Sequence, residues 1–452
     1  MRVRRPGAVG VVTFVVVFAV VAVAGQLAVG MRASNTSEIT GDEPFYLLTT
    51  QSLLSDGDLD LRDEYANGED RRFWRGTVPL WKQMSPLPDG RLLSPHDPGL
   101  SVLVLPAYDG WGLRGAQRLL VLVWAAAMAV AAVVALRFGA PPWAAALGSV
   151  VVGAATPGVV YASQLYPEGP AAACVALGLH LVCRGNKSRF PRLIASACWF
   201  AGTLTALAWL GVKYVPLGAV LGLAWAWRHR AREQRAALVT AGALLVVSGA
   251  FYVWWHFHTF EGLTPYATNV VYSGEGSATV LRQHVELVDR SYRLYGLFID
   301  ARFGLLRWLP VAALALWGVS RRHRTLLPTA VFAVGVVMGT FVSITMMGWW
   351  FPGRMLIAGF PALAVLVALG AARLPRTAIV LSAWSVAIAV ALVWSARTGG
   401  VRIAVDPFAL GFPLAPAWLF PDFRSFGARE IALSASWLAG LLALRWKVVR
   451  IT

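Results

Sequence analysis

VGVVTFVVVFAVVAVAGQLAVGM, residues Val9 to Met31, followed by TGDEPFY, residues Thr40 to Tyr46, decides how this chain is built. The first stretch is apolar throughout and, at roughly 1.5 Å of helix per residue, long enough to cross a bilayer. It lacks the small-residue cleavage site of a signal peptide and is expected to stay as a span. The second stretch places two adjacent carboxylates, Asp42 and Glu43, just outside that span, where they can face chemistry at the membrane surface.

Composition extends this reading to the whole chain. Of 452 residues, 57% are hydrophobic and 20 are Trp, too much apolar surface for a water-soluble core. The net charge of +17 does not indicate a nucleic-acid binder, because the basic residues cluster between hydrophobic runs: Arg2–Arg5, Arg184–Arg192, Arg228–Arg235, Arg321–Arg324, Arg373–Arg376 and Arg445–Arg450. Such clusters mark cytoplasmic loops. Apolar windows read against them predict an all-α polytopic protein with about twelve spans. These lie near 9–31, 115–137, 142–161, 169–184, 193–211, 213–228, 237–257, 303–320, 326–347, 355–371, 377–396 and 431–447, with both termini cytoplasmic.

Residues 1–452 then form a single membrane domain with long outer segments at 32–114, 258–302 and 397–430 and no separate soluble domain. Of the 23 Asp and Glu residues, Glu233 alone falls on the inner side of this assignment. Acids contribute little to orientation, so the bias is either functional or follows from longer, solvated outer loops. The chain shows no internal repeat of the kind that underlies alternating access. That asymmetry favours an enzyme working on the outer face; a transporter or lipid-linked-sugar flippase is the alternative.

Cys174, Cys183 and Cys198 lie in or near the fourth and fifth spans and read as small buried apolar residues, with no CxxC or disulfide framework. His256 and His258, spaced i, i+2, do not share a helical face.

In the first outer segment, Pro44 suits the first turn of a helix running from about Pro44 to Leu54, which puts Asp42 and Glu43 in its cap region. The positive end of a helix favours carboxylate, and a carboxylate is a base. Asp42 as a simple N-cap remains the other reading. Ser55-Asp56-Gly57-Asp58-Leu59-Asp60 is similar to the start of a calcium loop, yet Leu61 stands at the glycine position and Asn67 where a bidentate Glu belongs, so a turn is expected. A divalent cation is left open, with Asp42, Glu43 and Asp56 as carboxylates able to contribute. Ser94-Pro95-His96-Asp97-Pro98-Gly99 precedes the apolar run Leu100–Ala107, too short to span and expected to lie in the interface or re-enter; His96 either contacts phosphate or holds this loop.

Further ionisable residues stand at the outer ends of spans: Glu168, Lys213, Asp300, Arg302 and Arg354. Charges at membrane depth are costly and usually functional. A guanidinium can bind phosphate through paired hydrogen bonds, and an ammonium adds a compact charge. Snorkelling beside the Trp349-Trp350 pair is the bland account of Arg354.

The ordered motifs GDEPFYLL (41–48), SPHDPGL (94–100), QLYPEGPAA (164–172), an apolar hairpin carrying Lys213, DARFGLLRWLP (300–310) and WWFPGRML (349–356) resemble bacterial membrane glycosyltransferases of the GT-C fold, in the protein O-mannosyltransferase and aminoarabinose-transferase group. The resemblance implies transfer of one sugar from a polyprenyl-phosphate donor to a glycan, lipid or protein acceptor on the outer face of the cytoplasmic membrane. It assigns the catalytic base to Asp42, with Glu43 as neighbour or substitute. Lys213 and Arg354, and more loosely Arg302, would hold the lipid phosphate, with His96, Glu168 and Asp300 completing the substrate-binding set. A single base and a basic clamp suit one inverting displacement. The absence of a large domain after the last span departs from the family pattern and leaves acceptor recognition to 258–302 and 397–430. There Tyr266, Tyr272, Tyr292 and Tyr295 offer stacking faces or interface anchors.

Overall fold

The computed structural model describes residues 7–35, 37–75, 79–184, 190–270, 287–319, 325–343, 346, 348–404, 412–425 and 427–451. The basic clusters Arg2–Arg5 and Arg321–Arg324, and Tyr272, lie outside them. The described residues form helices, turns and isolated bridges, without a sheet.

The first span is α1 (Gly7–Ala28), and the helix expected behind Pro44 is α2 (Glu43–Ser55), followed by the short α3 (Arg62–Asn67). α4 (Gly99–Arg137) joins the apolar run after the His96 loop directly to the second span through a kink at Trp111 and Gly112, where Gly112 takes φ +58°. Then come α5 (Pro142–Ala154), α6 (Gly158–Ser163), α7 (Glu168–Cys183), α8 (Phe190–Leu210), α9 (Val215–Arg228) and α10 (Arg235–Phe260). After α11 (Arg293–Ile299), the region expected as a span at 303–320 is a chain of short turns: α12 (Leu305–Trp308), a 3-10 turn at Pro310–Leu314 and α13 (Ala315–Gly318). Pro310 withholds a donor there, and Gly318 lies so close to the helix Phe360–Arg373 that a Cβ would meet the Leu366 carbonyl oxygen at 2.0 Å. Irregular backbone is tolerated at membrane depth only under protein cover, and Val311, Leu314 and Trp317 are buried. α14 (Leu326–Val337), α15 (Phe360–Arg373), α16 (Pro375–Thr398) and α17 (Ala428–Ile451) complete the chain.

Among the described residues, six helices are long and apolar enough to cross a membrane, and Pro142–Ala154, Glu168–Cys183 and Leu326–Val342 are shorter apolar helices. The chain is a multi-pass membrane protein. α4 packs against α1, α5, α7 and α15, and α15 also against α13 and α14. In the most apolar window of Arg354–Arg373, 83% of residues are buried, against 17% for Arg232–Thr268, so α15 is enclosed by protein whereas α10 turns most of its surface outward. The ends of α2, α7 and α15 meet beside this enclosed centre.

Candidate functional site

Asp42, Glu168, Lys213 and Arg354 come from four distant parts of the sequence and form one ion-pair network. Arg354 donates through Nη2 to Asp42 Oδ2 at 2.8 Å and through Nε to Glu168 Oε1 at 3.0 Å. Lys213 Nζ donates to the same Glu168 oxygen at 2.8 Å. Local structure places each group: Asp42 stands at the N-cap position of α2, Glu168 in the first turn of α7, Lys213 in the 3-10 turn Val212–Tyr214 between α8 and α9, and Arg354 in the 3-10 turn leading into α15.

The side chain of Asp42 makes no cap hydrogen bond, so its carboxylate is turned away from its own helix and toward the network. Gln83 Nε2 donates to Asp42 Oδ1 at 3.2 Å. Gln83 Oε1 lies 2.8 Å from His96 Nε2, which assigns the proton of a neutral imidazole to that nitrogen. His96 therefore reaches Asp42 through Gln83; its direct separation from Asp42 Oδ1 is 3.9 Å. Burial and the Arg354 and Lys213 charges lower the His96 pKa against the pull of Asp42. For Asp42, burial pushes upward, but Arg354, His96 and Gln83 outweigh it and hold the carboxyl well below its usual range.

Arg354 is 5% exposed and lies over two aromatic faces, 3.9 Å from the Tyr166 ring centroid and 4.8 Å from that of Trp350. It does not snorkel to a surface. Lys213, at 44% exposed, and Asp42, at 19%, are the solvent-facing members of the network. Gly41, at φ +60°, lets the acidic pair sit this deep, because a Cβ would meet the Tyr166 hydroxyl at 2.7 Å and the Trp349 carbonyl oxygen at 3.1 Å.

Glu43 is arranged differently from Asp42. It is fully buried; Oε1 accepts the Thr40 N–H at 3.1 Å and Oε2 the Leu165 N–H at 2.8 Å. Burial pushes its pKa up to about 8 against those two donors. With both oxygens on backbone, Glu43 fastens the acidic motif to the turn before α7.

Asp300 and Arg302 belong to another cluster. Asp300 Oδ1 accepts the N–H groups of Arg302 and Phe303 at 2.7 and 2.8 Å, and Oδ2 accepts that of Phe423 at 3.2 Å. Arg302 pairs with Asp422 Oδ2 through Nε at 3.1 Å and Nη2 at 2.8 Å. These bonds tie the turn after α11 to the segment before α17. Tyr292 and Tyr295 pack there against Phe423, with centroids 5.8 and 5.3 Å apart. His256 is buried while His258 is exposed, in keeping with their i, i+2 spacing; His256 Nε2 lies 3.1 Å from Asp97 Oδ1, which also accepts the Tyr252 hydroxyl at 2.7 Å. That pair of contacts holds the His96 loop against α10.

Sequence reasoning missed Gln83, Tyr166 and Asp422. Tyr166 was within reach as the aromatic of QLYPEGP; Gln83, a neutral residue in an irregular segment, carried no signal. Asp56 stands at the C-cap of α2, the end opposite Asp42 and Glu43, so these three carboxylates do not share one ion.

No family model matches the chain, and no curated protein matches it in sequence. A solved structure does match: the crystal structure of ArnT from Cupriavidus metallidurans in the apo state, at TM-score 0.50 and 16% identity, over 97% of this chain and 72% of that one. The chain has a GT-C fold. At this identity the likeness is one of architecture, and it runs over nearly all of the chain.

Proposed function

We propose that the chain is a membrane glycosyltransferase that moves one sugar from a polyprenyl-phosphate donor to a glycan, lipid or protein acceptor on the outer face of the cytoplasmic membrane. The observation that carries this reading is the Asp42–Arg354–Glu168–Lys213 network, in which a partly exposed carboxylate is paired with a buried guanidinium that a second carboxylate links to an exposed ammonium, beside membrane helices. The GT-C fold supports it.

Asp42 takes the proton of the acceptor hydroxyl as that oxygen attacks the anomeric carbon. Lys213 and Arg354 receive the departing phosphate, which leaves without protonation. Without substrate, Arg354 is bonded to both carboxylates, and a carboxyl held so far below the working pH is a weak base. The donor phosphate competes with Asp42 for the guanidinium; as that pairing loosens, the proton affinity of Asp42 rises. Base strength is in this way coupled to occupancy of the phosphate site. Glu168 keeps the two cations together, Gln83 and His96 hold the outer face of Asp42, and Glu43 positions the motif. One attacking oxygen and one base predict inversion at the anomeric carbon.

The test supplies purified protein with labelled polyprenyl-phosphate sugars and an envelope extract, comparing wild type with Asp42→Asn. Transfer is expected from the wild type and not from the variant, with inverted configuration in the product. Equal transfer by the two proteins would remove Asp42 as the base, and no transfer from any such donor would remove the reading itself.

A further inference from the structure

A second group of carboxylates lies at the far end of α2. Asp56 is the C-cap of that helix, Asp63 and Glu64 open α3, and each offers an oxygen such that all three lie within 4.8 Å of one another. Acceptors this close repel unless a proton or a cation lies among them. Arg62 does not fill that role, since its guanidinium is on Asp60 at 2.7 Å.

A separate observation points to a ligand. Glu64 is 1% exposed, its Oε2 accepts from no donor among the described residues, and its carboxyl faces those of Asp56 and Asp63 at hydrogen-bonding range, an arrangement that needs a proton or a cation between them. Buried carboxylate oxygens are rarely left bare. Asp56 and Asp63 are exposed, so the group is closed beneath by Glu64 and open above to an ion and its waters. The remaining acids of the DGDLD stretch are occupied elsewhere: Asp58 Oδ1 accepts the Ser52 hydroxyl at 3.0 Å and the Asp60 N–H at 2.9 Å, and Asp60 Oδ1 accepts the Leu92 N–H at 2.9 Å. The calcium-loop pattern in the sequence is thus not the donor set. Asp56 finds its partners on the next helix.

We propose that Asp56, Asp63 and Glu64 bind one calcium ion that ties the C-terminal end of α2 to the start of α3. The donors are all oxygen, which suits a hard cation; calcium accepts an irregular shell completed by water, whereas magnesium demands near-octahedral geometry. The ion lies about 20 Å along α2 from Asp42, at ~1.5 Å per residue, so it braces the helix and takes no part in transfer.

Full-length protein in detergent, stripped with a chelator, is titrated with calcium chloride and separately with magnesium chloride. Bound ion is counted by equilibrium dialysis and the melting temperature is followed. The expected result is one calcium per chain with a rise in melting temperature, and affinity at least ~10-fold weaker in Asp56→Asn and Asp63→Asn. Both residues are exposed, so the unliganded variants are expected to melt no lower than the stripped wild type. Calcium bound equally by wild type and variants, preference for magnesium, or no bound ion with Glu64→Gln raising the melting temperature would each overturn the proposal, the last by showing a shared proton in the ion's place.

Discussion

The networks around Asp42 and around Asp300 are built from the same residue types, carboxylates and arginines near the ends of apolar segments, yet they do different things. The hydrogen bonds described for the Asp42 carboxylate come from side chains, Arg354 and Gln83, which can exchange partners when a ligand arrives. The hydrogen bonds described for Asp300 come from backbone N–H groups, which cannot leave without unfolding the turn. A carboxylate held by side chains is available for chemistry; one held by backbone is a fastener. Glu43, one residue from Asp42 in the chain, falls on the fastener side of that division.

The largest expected effect is on rate. Asp42→Asn should lower sugar transfer by about 10²–10⁴-fold while the melting temperature stays near that of wild type, measured on one preparation. A similar rate loss in Asp300→Asn at a temperature where that variant is folded would erase the distinction. Next comes Arg354→Gln, which leaves Asp42 and Glu168 without their buried counter-charge and should cost about 3–5 kcal/mol in denaturant unfolding as well as reducing transfer. Pairing it with Glu168→Gln should recover part of the stability and none of the transfer, because the charge left behind is removed but the phosphate clamp is not restored.

A pH effect sets the two neighbouring acids apart. Glu43 holds its proton more tightly in the folded chain than at its unperturbed 4.5, so the stability it contributes is fully present below that value and is lost as pH rises through about 8. Asp42 is shifted in the opposite direction; its contribution is present above the ordinary carboxylate range and disappears only in strong acid. Melting temperatures between pH 5 and pH 8 should therefore fall in wild type and flatten in Glu43→Gln; an unchanged slope in that variant would place the titration elsewhere. The smallest effect is expected at the partly exposed pair Arg302–Asp422, where Asp422→Asn should cost about 0.2–1 kcal/mol and leave transfer unaffected.

Much of the architecture was legible because apolar length is a direct physical requirement of a bilayer. Pro44 likewise announced α2 almost to the residue. The broken segment between Leu305 and Gly318 was not legible, since its apolar composition is that of a span and its irregular path depends on contact with α15. At the site, Asp42 stood out as one of an acidic pair just outside the first span, and Glu168, Lys213 and Arg354 as charges at the outer ends of spans; the fold brings them into one network. Asp300 and Arg302 stood out by the same rule. Sequence displays a charge but not its partner, and the partners here are main-chain groups and Asp422, more than a hundred positions away. Gln83 escaped because neutrality conceals its place between Asp42 and His96.

The network of two acids and two bases is formally neutral as it stands. Under the proposed reaction the donor phosphate bears one negative charge as a diester and gains a second as its bond to the sugar breaks, while the acceptor proton passes to Asp42. Protonation there leaves Glu168 as the only anion facing Lys213 and Arg354, so the protein becomes one unit more positive as the phosphate becomes one unit more negative. The excess charge created by the chemistry is met by the site itself, with no ion drawn from solution, and returning that proton to water weakens the hold on the spent lipid phosphate.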